Sequence, residues 1–208
     1  MKLPNTLSIL LLFLFASCSS DSDQTAEQGD MPDQMEMSEA DMDMNMETDN
    51  ESEEDQEVLS PPREASAEIG GIQVTVNYSA PSVRGRTIWG ELVPFGRIWV
   101  TGAHMATHIE FEEEMLVNGE PVPAGKYAFF TIPGEDTWTV ILNENWDQHQ
   151  ADEYDEELDV ARFELEPSES DFIEQLTYSV ISQSENSGVL EMTWEETKIT
   201  VPLQAAGS

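Results

Sequence analysis

From Ile69 onward, apolar and polar residues alternate. Ile72, Val74, Val76 and Tyr78 alternate with Gln73, Thr75 and Asn77, the period-two pattern of a strand with one buried face. Ile109 and Phe111 alternate with His108 and Glu110. Val117 and Val122 flank Asn118-Gly119, a pair that favours a tight hairpin because both residues accept positive φ. Pro123-Ala124-Gly125 turns the chain into residues 127–132, which are apolar on both faces and therefore expected inside a sheet. Pro133-Gly134 breaks this run, and Trp138, Val140 and Leu142 alternate again.

Later strands are predicted over residues 161–165, 176–181, 189–194 and 199–203. The inward set is even-numbered at Leu190, Met192 and Trp194 but odd-numbered at Ile199, Val201 and Leu203. A bulge between Glu195 and Lys198 reconciles the two parities. Residues 152–160 read as a short helix, with Tyr154 and Leu158 four apart. Eight or nine short strands predict an all-β fold, a single antiparallel β-sandwich over residues 58–208.

The N-terminal segment follows a different rule. Lys2, a leucine- and phenylalanine-rich run over residues 7–15, and Ala16-Ser17 precede Cys18, the sole cysteine. Positive, apolar and small regions in that order describe a secretory signal over residues 1–17. With cysteine at the cut, the segment resembles the lipobox of bacterial lipoproteins. That resemblance implies a diacylglycerol thioether on Cys18, which becomes the mature N-terminus. The apolar run is far shorter than the about 20 residues a membrane-spanning helix needs, so attachment is expected through lipid alone. Ser19, rather than Asp, follows the cysteine. By analogy with enteric sorting this favours the outer membrane, with the domain facing periplasm or cell surface.

Charge separates the tether from the domain. Acidic residues outnumber basic ones 43 to 8, which argues against a nucleic-acid partner. Residues 21–57 hold sixteen acids, no Lys or Arg and almost no branched or aromatic side chains. Such a segment buries too little apolar surface to offset chain entropy, so residues 18–57 are expected to be a disordered acidic tether. It also carries Met31, Met35, Met37, Met42, Met44 and Met46. Thioethers are soft ligands suited to Cu(I); a plain self-repelling spacer is the competing reading. Asp41, Asp43 and Asn45 imitate the start of an EF-hand loop. Met46 and Ser52 stand where that loop needs Gly and Glu, which rules the match out.

Between residues 80 and 108 the alternation fails. Long loops without regular structure are usually functional or specifically packed. This one gathers Arg84, Arg86 and Arg97 beside Trp89, Phe95 and Trp99. Forked guanidinium hydrogen bonds and ring stacking suit a carboxylate, phosphate or sugar. The alternative is structural, with the arginines paired to the domain's own carboxylates and the tryptophans filling the core. The expected ligand loop is therefore Arg84, Arg86, Trp89, Arg97 and Trp99, for an anionic, small-molecule or glycan ligand.

Residues 81–99 (Pro-Ser-Val-Arg-Gly-Arg-Thr-Ile-Trp-Gly-Glu-Leu-Val-Pro-Phe-Gly-Arg-Ile-Trp), followed by Thr101-Gly102-Ala103, resemble the signature of domain-of-unknown-function family 2911. Residues 123–134 and 138–143 resemble its second block. The resemblance covers roughly residues 69–203. It implies a secreted or lipid-anchored envelope protein of Gram-negative bacteria with no established reaction. The family pattern usually has Arg after the second Trp and Asn-Glu after Gly-Ala. Val100, His104 and Met105 stand at those places here.

His104, Met105 and His108 form a further candidate, a copper site. Met105 occupies the place of the general-base Glu in a His-Glu-x-x-His hydrolase, which disfavours that enzyme class. On a straight strand the two imidazoles lie about 13 Å apart, too far to share one ion. The site therefore requires residues 102–106 to fold back, or ligands from elsewhere such as His149 or an acidic side chain. The polar-face reading, with no ligand role, stands beside it. No Gly-x-Ser-x-Gly elbow and no phosphate loop occur, and no carboxylate pair stands out. The domain is expected to bind rather than catalyse; a hydrolase is the least favoured alternative and would need an open aromatic-lined groove around Trp89 and Trp99.

Overall fold

The computed structural model describes residues 59–207. Cys18, the signal segment and the Met-rich tether lie outside the described residues. Two antiparallel sheets pack face to face. The larger holds β1 (Pro62–Ile69), β2 (Ile72–Ser79), β3 (His108–Phe111), β6 (Gly125–Ile132), β7 (Trp138–Asn143) and β8 (Asp159–Leu165), in the order β1-β2-β3-β6-β7-β8. The smaller holds β4 (Met115–Val117), β5 (Glu120–Val122), β9 (Ser168–Ser182) and β10 (Ser187–Ala205), in the order β5-β4-β10-β9. This is the β-sandwich that the alternation predicts.

Inward side chains of both sheets make one core. Ile72, Val74, Val76, Phe111, Phe129 and Trp138 from the first sheet meet Leu176, Leu190, Met192, Trp194, Val201 and Leu203 from the second. Asn118 and Gly119 both take positive φ, 49° and 84°, in the tight turn joining β4 to β5. Residues 189–194 and 199–203 belong to one long strand rather than two. Its pairing with β9 shifts register on both sides of Glu195, which has φ 56°. That bulge changes the inward parity from even to odd.

The structure departs from the sequence reading in two further places. β1 is a strand that the alternation does not reveal. Its half-buried positions Ala65 and Ala67 are small, the rest except Ile69 are exposed, and Pro62 opens it. Such a composition suits a sheet edge. Residues 152–160 hold only a 3₁₀ turn, Glu156–Leu158, capped by the Asp155 side chain. Asp152, Glu153, Asp155, Glu156 and Glu157 crowd like charge at helical spacings. The Tyr154 hydroxyl donates instead to Asp159 at 2.9 Å, and its ring meets Phe130 edge-on at 5.6 Å.

Tyr154 belongs to a second apolar cluster on the outer face of the larger sheet. Ala128, Phe130 and Ile141 of the sheet are covered there by Ile98, Val100, Ala106, Trp146 and Ala151. This cover explains why β6 is apolar on both faces, and it fixes the long loop against the sheet.

Candidate functional site

Residues 80–107 are pinned along their length. Val83 N donates to Glu174 O at 2.8 Å, and Leu176 N to Pro81 O at 2.9 Å, so the loop's start is stitched to β9. Trp99 exchanges backbone hydrogen bonds with Thr131 at 2.8 and 3.0 Å, continuing the larger sheet beyond the short β3. Met105 bridges to His149. The loop is a specifically packed element, and it borders a space open to solvent on one side.

That space is a cavity of about 480 Å³, lined by Arg84, Arg86, Trp99, His104, Gln150 and Trp194 with apolar neighbours including Leu92, Val93 and Val100. Its volume falls within the range of small-molecule sites. Trp194 rises from β10, and the other five come from the loop or from the turn after β7. Trp99 and Trp194 stack with centroids 5.8 Å apart and planes 21° from parallel. Trp89 packs edge-on against Trp138 at 4.7 Å and against Trp99 at 5.8 Å. Four indoles thus form a single cluster behind the cavity wall. Trp99 Nε1 donates to Gly102 O at 3.2 Å, whereas the buried Nε1 atoms of Trp89 and Trp194 have no hydrogen-bond partner among the described residues.

The three loop arginines have different roles. Arg86 folds back on its own turn, donating from Nε to Val83 O at 3.1 Å and from a terminal nitrogen to Ser82 O at 2.6 Å. The Arg84 backbone N–H donates to Glu174 Oε1 at 2.8 Å. Its guanidinium is exposed and has no hydrogen bond or ion pair among the described residues. Arg97 is also exposed and does not reach the cavity. Among the described residues, no arginine of the loop is paired with a carboxylate through its side chain.

The two candidate histidines line different cavities. His104 lines the main cavity, its carbonyl accepting from Gln150 N at 2.7 Å. His108 and Met105 line a separate, shallower cavity of about 220 Å³. His108 lies against Trp146 at 5.3 Å, beside Lys126, whose Nζ sits 4.6 Å over the same ring. Burial and then the Lys126 charge hold the His108 pKa below its usual value. Among the described residues no three of His, Cys, Asp and Glu gather at one point. Met105 stands instead beside His149, whose Nδ1 is 3.2 Å from Asp152 Oδ2.

Of the sequence-predicted loop residues, Arg84, Arg86 and Trp99 line the cavity, Trp89 backs it, and Arg97 lies apart. Gln150 and Trp194 escaped sequence reasoning. Trp194 reads as an ordinary inward strand residue, and nothing local distinguishes Gln150.

The fold and cavity define a class: an antiparallel β-sandwich with a ligand-sized pocket between one long, pinned loop and its neighbours. The chain belongs to the family described as protein of unknown function (DUF2911), which matches residues 60–203. No curated protein and no solved structure matches it.

Proposed function

We propose that this chain is a lipid-anchored cell-envelope protein, held through Cys18 and an acidic tether, whose sandwich domain binds a small ligand without catalysis. The observation that carries the binding role is the cavity itself. A long loop is nailed to two strands of opposite sheets, and the space beside it is lined by an aromatic wall and by Arg84, whose guanidinium is unengaged among the described residues. The lipobox-like segment supports the anchor and an outer-membrane address.

Native mass spectrometry of protein taken from its own envelope tests the binding role. A small molecule released on denaturation of the wild type, and missing from Ala103→Trp, supports it; Ala103 lines the cavity, so an indole there fills the space. Equal release from both variants, or release from neither, counts against it. For the anchor, Cys18→Ser should abolish palmitate incorporation and move the protein to the soluble fraction.

Copper binding is a second reading, favoured by the Met105–His149 bridge. It sets an exposed thioether and an exposed imidazole on paired residues, where Cβ atoms stand about 5 Å apart. Cu(I) titration of the full chain, of a form lacking residues 18–57, of Met105→Ala/His149→Ala and of His104→Ala/His108→Ala assigns any site to the domain or to the tether methionines. Absence of stoichiometric binding in all of them ends this reading.

A further inference from the structure

Given that the cavity binds a ligand, we infer that the ligand is a small organic anion: a carboxylate, phosphate or sulfate group on an apolar body, with Arg84 as the anchor of the charge. This rests on the binding role proposed above and names its chemical class.

The first ground is charge. The chain carries 43 acidic residues against 8 basic ones, yet the cavity lining holds two arginines and a histidine with no Asp or Glu among the described residues. Surfaces of this protein are acidic by default, so a lining of one sign is a local inversion. Glu174, the carboxylate nearest in the hydrogen-bonding pattern, is engaged with the Arg84 backbone N–H. Arg86 retains its charge although carbonyls occupy its donors, because a carbonyl does not neutralise a guanidinium. The Arg84 guanidinium has both charge and donors free among the described residues, and its planar fork matches the oxygens of a carboxylate or phosphate.

The second ground is backbone conformation. Six non-glycine residues among those described adopt positive φ, and three of them line this cavity: Arg84 at 51°, His104 at 61° and Gln150 at 51°. All three are polar. Such conformations are strained and persist only where surrounding structure fixes them. Here the fixing bonds are visible: Arg84 N to Glu174, and Gln150 N to the His104 carbonyl. Strain is spent on presenting polar side chains at one place.

The third ground is the rest of the wall. Leu92, Val93, Val100, Trp99 and Trp194 offer apolar and aromatic surface, which suits a ligand body rather than a bare ion. A sugar fits less well. Its hydroxyl donors need acceptors, and among the described residues side-chain carboxylates, the strongest of these, do not line the cavity.

The test uses the full chain and matched probes with phenyl, cyclohexyl and hexyl bodies, each as carboxylate, primary amide and amine, plus inorganic phosphate. Binding is followed by tryptophan fluorescence and by NMR shifts of the indole N–H groups. The carboxylates should bind at least tenfold more tightly than their amides, and the amines should be rejected. Arg84→Gln should erase that preference, while Arg97→Gln, on the same loop but off the cavity, should preserve it. Equal binding of acid and amide, lost in Ala103→Trp, overturns the anionic class and leaves the cavity a binding site. Binding of phosphate as tight as that of every carboxylate overturns the apolar body. No response to any probe overturns this inference, while the ligand-release experiment decides the binding role separately.

Discussion

Tyr178 Oη donates a 2.8 Å hydrogen bond to the carbonyl oxygen of Thr101, across the interior of the sandwich. Tyr178 stands in β9 of the smaller sheet, and Thr101 is the fully buried bend of the long loop, with φ 50°. The same carbonyl accepts Thr107 Oγ1 at 3.1 Å. One buried oxygen therefore ties the loop's far end to its own return and to the opposite sheet. Burial drives the Tyr178 phenol well above its ordinary pKa, so it remains a donor at any working pH.

Tyr178→Phe removes that tie and keeps the ring in contact with Tyr78 and Phe129. A stability loss of about 1 kcal/mol is expected, the net worth of one buried hydrogen bond. Amide exchange of residues 99–107 should accelerate more than exchange in β10. Denaturant unfolding and hydrogen exchange measure both.

Two glycines separate crowding from backbone strain. A Cβ at Gly188 would strike the Ile181 carbonyl oxygen and stand 2.6 Å from Ile69 Cδ1, whereas Gly71 has φ 83° and open space around it. Gly188→Ala should cost about 1–3 kcal/mol through overpacking. Gly71→Ala should cost about 1–2 kcal/mol through the left-handed conformation alone. Asn is tolerated in that conformation, so Gly71→Asn should recover part of the loss, while Gly188→Asn should be worse than Ala. Thermal melts of the four variants check the ranking.

His108 makes stability depend on pH below neutrality. Burial, and then Lys126, hold its pKa below 6.5, so the unfolded chain binds this proton more readily than the native state. Stability is full above 6.5 and falls as pH drops toward the depressed native value. His108→Gln should flatten the stability profile in that window. Lys126→Met should move the His108 titration upward, as seen by NMR of its ring protons.

At the alkaline end Tyr154 plays the corresponding part. Burial first, and the neighbouring Asp159 carboxylate next, push its phenol up to about 12. The neutral form is favoured in the fold, so this contribution is intact below pH 10 and is lost between about 10 and about 12. Tyr154→Phe should abolish that part of the alkaline loss. Replacing Arg162, which donates to the Tyr154 oxygen at 3.0 Å and favours the phenolate, should raise the Tyr154 titration further. Phenolate absorbance against pH reads both.

Local sequence was legible wherever one face of a strand is buried by large side chains. Ile72 to Tyr78 and Trp138 to Leu142 declare their faces in the alternation, and Asn118-Gly119 declares its turn. Even the bulge at Glu195 could be read, because a parity change in the inward set has few other causes. β1 could not, since its inward positions are alanines and its pairing is supplied by β2. The helix over 152–160 failed for a related reason. A spacing of four between Tyr154 and Leu158 is a weak signal, and the hydroxyl's partner Asp159 decided the local conformation.

The amino-acid sequence by itself determined the sandwich, its central strand, its family and the position of the long irregular loop. Each of these follows from periodicities or residue blocks that are local in the chain. The tertiary structure alone decided which loop residues share a cavity. Arg84, His104, Gln150 and Trp194 lie up to 110 positions apart, and they meet because the loop is stitched to β9 at one end and to β6 at the other. Arg97, equally basic and closer in sequence to Trp99, is left outside. Strand pairing converts such distances in sequence into contact, and its consequences are fixed only when both sheets are in place.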